Sequence, residues 1–198
     1  MQKEKEKKTI LFSLFGDIER YTKESMGTMC KLAAQFDKFI VGDKTRREQF
    51  RLVLRINSNG GSMETAIALY SYFRNLPIGL TTVGYGFVES AAVYVFLAGK
   101  ERICMPETRF FIHGGGVSLK APASELNTAA RKLVAQQRLL ENIIADNVGI
   151  PLSTIKKWML NGKSFYAEEA LEYGFVTAIG TNPICEDDSD YTYLAERW

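Results

Sequence analysis

Apolar and polar residues alternate along the chain in blocks whose period changes from strand-like to helix-like. Residues 51–56 (RLVLRI) alternate polar and apolar side chains, a pattern typical of a half-buried strand. In residues 63–76 the apolar side chains recur at helical spacing, and Pro77 and Gly79 end that pattern. The run 80–84 (LTTVG) is rich in β-branched residues and predicts the next strand. This part of the chain is therefore expected to form a β-α-β unit.

The same alternation continues through the second half of the chain. An apolar helix is predicted to begin near Ser90, and residues 108–113 (TRFFIH) predict another strand. A long helix is predicted from about Ser124, as its N-cap, to about Val148, followed by a short helix opening at Pro151 and a last one at 167–174. No internal repeat is evident. The pattern predicts an α/β domain with a largely parallel sheet.

Composition and charge narrow the class of protein. The chain has 198 residues, of which 46% are hydrophobic, and a net charge of +2. That length and composition suit one globular domain with a substantial core. No basic stripe predicts nucleic-acid binding, and no apolar run is long enough for a membrane span. The three cysteines (Cys30, Cys104, Cys185) are widely spaced and predict reduced thiols in a cytoplasmic protein, with no metal site and no cofactor.

Both ends of the chain differ in composition from the middle. Residues 1–8 (MQKEKEKK) carry mixed charge with no apolar segment after them, so a solvated arm is expected rather than a secretory signal. Residues 181–198 are acidic and lack a hydrophobic period, which predicts a mobile or peripheral tail. A single α/β domain over residues 9–180 is expected between them.

Candidate chemistry lies at the ends of predicted strands. Gly60 and Gly61 follow the first strand, where they form either an ordinary turn or a backbone that offers N–H groups to a ligand. Ser90 stands at a predicted strand-to-helix junction, where it is either an N-cap or a nucleophile with the N–H of Ala91 as oxyanion donor. His113 is the only histidine and hence the only imidazole able to activate Ser90.

Four motifs, in order, resemble the ClpP family, the proteolytic subunit of the ATP-dependent Clp protease. INSNGGS resembles the family's INSPGGS with Asn59 in place of proline, and GFVESAA resembles its serine segment. RFFIHGG resembles its histidine strand, and FYAEEALEYGFV resembles a segment near its C-terminal end. The resemblance covers roughly residues 50–180. Four ordered motifs are far more specific than any one of them.

This resemblance implies a crotonase-like ClpP fold with parallel β-sheet layers, flanking helices and a protruding handle helix at 124–148. It also implies a homo-oligomer, a heptameric ring or double ring that degrades peptides. The partners that it implies are an AAA+ unfoldase and a ClpP paralogue. By the same match Ser90 is the nucleophile and His113 the general base, and the oxyanion is held by backbone N–H groups of Gly61 and Ala91. The implied substrate-binding residues are Gly60, Gly114, Gly115 and Gly116.

The chain departs from the family at the third catalytic residue. The family's aspartate falls on Gly162, within the segment NGKSF. Asn161 is then the candidate that orients His113, whereas no role can be assigned to Glu89 from the sequence. Loss of the carboxylate in a serine protease costs on the order of 10⁴ in turnover. A serine endopeptidase of reduced activity is therefore expected, and a weak or inactive ring subunit or binding module is the alternative.

Two other chemistries remain open from the sequence. A serine–lysine mechanism requires a lysine such as Lys163 beside Ser90 and leaves His113 without a role. Crotonase-like acyl-CoA chemistry requires a nucleotide-sized pocket and a catalytic glutamate, neither of which the sequence locates.

Overall fold

A computed structural model describes residues 7–20, 22, 27–42, 44–116, 118, 120–180 and 192–193. Helices and strands alternate through this part of the chain. Their order is β1 Lys8–Phe15, α1 Gly27–Ile40, α2 Lys44–Arg47, β2 Phe50–Ser58, α3 Met63–Arg74, β3 Leu80–Glu89, α4 Ala91–Leu97, β4 Glu101–Cys104, β5 Arg109–Ile112, α5 Ala123–Val148, α6 Leu152–Asn161, β6 Lys163–Tyr166, α7 Ala167–Glu172, β7 Ala178–Ile179 and β8 Thr192–Tyr193.

The described strands form one sheet in the order β6-β5-β3-β2-β1-β8. Outside this order, β4 pairs with β3, and β7 pairs with β4. All pairs are parallel except β5 with β6, which is antiparallel. Parallel strands need crossover connections, and helices α1, α3 and α4 supply them between β1, β2, β3 and β4. The prediction of an α/β fold with a largely parallel sheet is confirmed.

On the side away from β2, strand β3 pairs with two different strands along its length. Its first half lies beside β4, from Thr81 to Gly84, and its second half lies beside β5, from Phe87 to Glu89. Gly86 lies between the halves with a φ of 56°, and Asn57 of β2 accepts the N–H of Phe87 at 3.0 Å. The strand predicted to end at Gly84 therefore continues to Glu89, because the glycine bends it rather than ending it.

The main core lies between one face of the sheet and the helices. Leu52, Leu54 and Ile56 of β2 point into it, whereas Val53 points to the other face and packs with a small second cluster. This alternation is the one predicted from the sequence of residues 51–56. Every residue of α4 is buried, which explains why this helix reads as apolar on all sides.

The buried residues of the long helix α5 all lie toward its C-terminal end. Its fully buried residues are Leu140, Glu141, Ile143 and Ile144, and residues 123–139 are exposed or half-buried. The helix begins at Ala123 with Pro122 as its N-cap, so the prediction of Ser124 as the N-cap is wrong. Proline has the fixed φ that suits a helix start, which moves the boundary by two residues.

Several elements were not predicted from the sequence, namely β1, α1, α2, β4, β6, β7 and β8. The acidic residues of the predicted tail, from Glu186 to Asp190, lie outside the described residues, whereas 192–193 pair with Ile10 and Leu11 of β1. In the described part of the chain, no helix combines the length and apolarity needed to cross a bilayer.

Candidate active site

Ser90 occupies a strained turn between β3 and α4. Its φ is 53° and its ψ is −122°, and it is the only non-glycine residue with a positive φ among those described. Its N–H donates to the carbonyl oxygen of Phe111 at 2.7 Å, which ties the turn to β5. Such a conformation costs about 1–3 kcal/mol and is retained where surrounding structure imposes it, commonly at functional sites. The turn resembles the sharp strand-to-helix bend that presents a nucleophilic serine.

The Ser90 hydroxyl does not cap helix α4. The side chain makes no capping hydrogen bond, although the residue stands at the N-cap position. Its Oγ lies instead 2.9 Å from Nε2 of His113, within hydrogen-bonding distance. Of the two explanations left open by the sequence, the capping role is excluded by this geometry.

His113 follows the last residue of β5 and is half-buried. Its ring stacks on Phe111, with 5.1 Å between ring centroids and an interplanar angle of 16°. For Nε2 to accept the Ser90 proton, a neutral imidazole must carry its hydrogen on Nδ1. No side chain among the described residues hydrogen-bonds to that second nitrogen. The ring is therefore oriented by Ser90 and by the Phe111 stack.

The two glycines after β2 pack closely against the serine turn. A Cβ on Gly60 would lie 2.8 Å from the Cβ of Ser90 and 2.8 Å from the backbone nitrogen of Ala91. Gly61 pairs with Ile18, whose carbonyl would lie 2.5 Å from a Cβ at that position. Both glycines have positive φ angles, 101° and 136°. Only glycine fits here without strain, because a side chain would collide with backbone atoms.

Two backbone N–H groups beside Ser90 are free to bind an oxyanion. Within the described part of the chain, the N–H of Gly61 and that of Ala91 donate to no backbone acceptor. The neighbouring backbone of Gly60 and Ser62 is instead bonded to Ile18, at 2.7 and 2.8 Å. Free N–H groups next to a nucleophile are the donors that acyl transfer uses to stabilise a tetrahedral intermediate.

A cavity of about 210 Å³ opens at this point. It is lined by Arg20, Gly61, Ser62, Met63, Ser90, Ala91, Tyr94, His113, Gly115, Gly116 and Leu140. The catalytic candidates Ser90 and His113 thus share one cavity with the two oxyanion candidates. Met63, Tyr94 and Leu140 give the lining an apolar part that suits a substrate side chain, and Arg20, Ser90 and His113 give it polar groups.

The predicted substrate-binding glycines differ in what surrounds them. Gly114 donates its N–H to the carbonyl oxygen of Met159 at 2.6 Å, so that group is already engaged. A Cβ on Gly115 would lie 2.6 Å from the sulfur of Met63, whereas nothing lies within 4 Å of one on Gly116. The space around Gly116 therefore leaves room for an extended peptide.

The far side of His113 is open. Gly162 follows the last residue of α6 with a φ of 75°, and a Cβ there would lie 3.2 Å from the ring of Phe111. Asn161, the predicted orienter, lines with His113 and Gly162 a second, more open cavity of about 450 Å³. No hydrogen bond joins Asn161 to His113 in the described structure.

Glu89 and Lys163 are both committed to other partners. The carboxylate of Glu89 is buried and paired with Arg109, whose Nε donates to it at 2.7 Å. Lys163 donates to Glu169 at 3.1 Å, and this hydrogen bond raises the pKa of its ammonium. A lysine base must lose its proton near neutral pH, which requires a lowered pKa. The serine–lysine alternative therefore receives no support from this geometry.

Sequence reasoning missed three residues of the site: Phe111 behind the imidazole, Tyr94 in the cavity wall and Arg20 at the cavity. The sequence pattern indicates only that Phe111 belongs to an apolar strand and Tyr94 to an apolar helix. The alternation within β5 places Phe111 on the same face as His113, two residues later, and this signal could have identified it. Arg20 carries no comparable signal, because its place depends on the contact between Ile18 and Gly61.

Known proteins resemble this chain over most of its length. The family model for Clp protease matches residues 24–183. The ATP-dependent Clp protease proteolytic subunit of Ostreococcus tauri is 33% identical over 132 residues, and proteolytic subunit 2 of Thermobifida fusca is 32% identical over 133 residues. Each alignment covers 66% of this chain and 66% of the relative, so the match spans about two thirds of those proteins.

A solved structure shows the same fold. A ClpP1 point mutant from Listeria monocytogenes superposes with a TM-score of 0.68, covering 89% of this chain and 92% of that one, at 24% sequence identity. The structural likeness supports the fold, and the family match over most of the chain supports the relationship by sequence. The chain is thus a member of the Clp protease family.

Proposed function

We propose that the protein is a serine endopeptidase subunit that cleaves unfolded polypeptides or short peptides inside an oligomeric chamber. The observation that carries this proposal is the 2.9 Å contact between Ser90 Oγ and His113 Nε2 at a strained serine turn. A structural serine has no need of a positive φ, and an unused histidine has no need of this contact. The pair has the geometry expected of a nucleophile and its general base.

The proposed reaction uses residues of the first cavity. Ser90 Oγ attacks the carbonyl carbon of the scissile peptide while Nε2 of His113 takes the hydroxyl proton. The carbonyl oxygen becomes an oxyanion that accepts hydrogen bonds from the N–H groups of Gly61 and Ala91. The C–N bond then breaks, His113 protonates the leaving amine, and water activated by the same imidazole hydrolyses the ester on Ser90.

The substrate backbone is proposed to add as a strand beside Gly115 and Gly116, which follow β5 at the edge of the cavity. Asn161 is proposed to orient the imidazole from the open side through its carbonyl oxygen, directly or through one water in the second cavity. Asparagine has this role in cysteine proteases, where it replaces a carboxylate.

The alternative is a subunit of little or no activity that serves in a mixed ring or in binding. It is favoured by Gly162, which offers no carboxylate, and by the Phe111 ring next to it. A fluorophosphonate probe separates the two possibilities because it labels only an activated serine. We expect labelling of the wild type and none of Ser90→Ala, with Ser71→Ala, which changes an exposed serine of α3, labelled as the wild type. Peptide hydrolysis should fall at least about a thousandfold in Ser90→Ala.

Absence of both labelling and hydrolysis in the folded wild type would establish the inactive alternative. Unchanged hydrolysis by Ser90→Ala would instead exclude the proposed nucleophile. Circular dichroism of each variant checks that a loss of labelling does not reflect unfolding.

We also propose that the chain assembles into a homo-oligomer, with a ring of seven, single or doubled, as the first expectation. The support is α5, whose outer part carries exposed Leu126, Val134 and Leu139. Apolar side chains on a projecting helix are typical of an interface between subunits. An AAA+ unfoldase and a ClpP paralogue are the further partners proposed by relationship. Sedimentation at micromolar concentration tests the assembly, and a stable monomer would contradict it.

A further inference from the structure

Arg20 is the only formally charged residue, apart from the titratable His113, among the described residues that line the catalytic cavity. Arg20 lies two residues after Ile18, whose backbone is hydrogen-bonded to Gly60 and to Ser62, on either side of Gly61. This pairing fixes the chain at the oxyanion side of the cavity. The Arg20 side chain is 64% exposed, so its guanidinium can be reached from solvent and from a bound peptide.

The guanidinium keeps unused donors. Its Nε donates to Ser62 Oγ at 3.3 Å, and its Nη2 lies 2.8 Å from a carboxylate oxygen of Glu64. A guanidinium has five N–H groups, so three remain for another acceptor. Arginine binds carboxylates in a bidentate geometry that lysine cannot provide.

The charge of Glu64 does not cancel that of Arg20. Glu64 also pairs with Lys132 of α5 and accepts a hydrogen bond from Gln136 at 3.4 Å. The hydrogen bond from Lys132 is the main cause that lowers the pKa of the Glu64 carboxyl, so this group stays ionised at neutral pH. Two cations share one anion, which leaves one positive charge in excess, and Arg20 is the cation that reaches the cavity.

We propose that Arg20 makes this protein select peptides with an acidic side chain within two residues of the scissile bond. The proposal rests on the proposed peptidase function, since it assigns the substrate class of that same cavity. Because the remaining lining is neutral apart from the imidazole, a carboxylate entering the cavity meets Arg20 as its one strong partner, and the negative charge of Glu64 beside it is itself paired with Lys132. A partly exposed ion pair of this kind favours an acidic residue about two- to fivefold over its amide.

The test uses fluorogenic peptides that differ at one position only. Asp, Asn and Lys are placed in turn at the two positions on each side of the cleaved bond, and kcat/KM is measured for each peptide. The wild type should prefer Asp over Asn at one position about two- to fivefold, mainly through KM, and should disfavour Lys there. Arg20→Gln should abolish the Asp preference, and Arg20→Glu should turn it into a preference for Lys.

Arg131→Gln is the matched control, because it removes an exposed cation of the same helix α5 that neither lines the cavity nor pairs with Glu64. It should retain the Asp preference. Equal rates for Asp and Asn at all four positions would overturn the proposal, and so would an Asp preference that survives in Arg20→Gln.

A binding measurement separates this proposal from the peptidase function. Fluorescence anisotropy of the same peptides with Ser90→Ala reports the cavity without turnover. A tighter Kd for Asp than for Asn peptides in Ser90→Ala, lost in Ser90→Ala with Arg20→Gln, supports the proposal even where the wild type hydrolyses nothing. Equal Kd values in Ser90→Ala would overturn it even where the wild type is an active peptidase.

Discussion

The two sides of His113 differ in how tightly the surrounding structure is packed. On the side of Nε2, backbone hydrogen bonds to Phe111 and Ile18 hold the turns of Ser90 and of Gly60 and Gly61, and a Cβ on Gly61 would lie 2.5 Å from a backbone oxygen. On the other side, Asn161 and Gly162 border an open cavity, and the ring stacks on Phe111. The nucleophile side is thus held by the backbone, whereas the orienting side depends on one aromatic stack. Changes should therefore be far more damaging on the first side.

The largest effect is expected from Gly60→Ala. The new methyl group would lie 2.8 Å from three atoms of the serine turn, at a residue with a φ of 101°. We expect a loss of at least about 3 kcal/mol in the free energy of unfolding, or a displaced Ser90 with peptide hydrolysis reduced at least a hundredfold. Urea unfolding and the fluorogenic peptide assay measure the two effects.

Gly16→Ala is the matched control for this change. Gly16 has a similar φ of 99°, but nothing lies within 4 Å of a Cβ there. Its substitution should cost only the conformational strain, about 1 kcal/mol. Equal losses in the two variants would show that contact with the serine turn contributes nothing.

An intermediate effect is expected on the open side of the imidazole. Asn161→Ala should lower kcat about tenfold if its carbonyl orients His113, and Asn161→Asp should raise it about tenfold by restoring a carboxylate. The pH profile of kcat/KM distinguishes this from a structural effect, since a carboxylate shifts the apparent pKa of the imidazole upward. Unchanged rates and profiles in both variants would exclude Asn161 from the site.

Gly162→Asp restores the family residue itself but meets two obstacles. Its φ is 75°, and its Cβ would press on the Phe111 ring at 3.2 Å. We therefore expect little gain in kcat from Gly162→Asp. A gain of about tenfold or more would show that neither the φ of this residue nor the Phe111 ring is an obstacle.

The smallest effect is expected from Lys163→Met. Lys163 and Glu169 form a partly exposed pair, so its loss should cost less than about 1 kcal/mol and leave peptide hydrolysis within about twofold. The pairing lowers the pKa of Glu169, mainly through the hydrogen bond from Lys163. Its stabilisation is therefore present above the ordinary value of 4.5 and is lost as the pH falls through the lowered pKa. Wild type and variant should converge in urea unfolding once the pH is below the lowered pKa of Glu169.

A large loss of activity in Lys163→Met at unchanged stability would revive the serine–lysine mechanism. Glu169→Gln is the control, because it removes the same ion pair but keeps the lysine. The two variants should behave alike if the pair is only structural.

The sequence allowed the fold and the Ser90–His113 pairing to be predicted, because short ordered motifs determine both. Residues 56–62 and 86–92 end two neighbouring parallel strands, and such ends meet at one edge of a sheet. The stack of Phe111 on His113 could not be predicted, because the strand period places both residues on one face but does not set their rotamers. The place of Arg20 could not be predicted either, because it depends on the contact between Ile18 and Gly61, which lie about forty residues apart in the chain.

The division of β3 between two partners has a consequence for the order in which the site is built during synthesis. Residues up to Glu89 can pair with β2 as soon as they leave the ribosome, since β2 precedes them in the chain. The N–H of Ser90, however, is held by the carbonyl of Phe111, and its hydroxyl by His113, neither of which yet exists at that stage. A nascent chain that ends at α4 thus carries the serine but lacks the contacts that hold its turn and its hydroxyl. Under the proposed function, the Ser90 hydroxyl is an ordinary alcohol until β5 has folded beside it and brought His113 into contact.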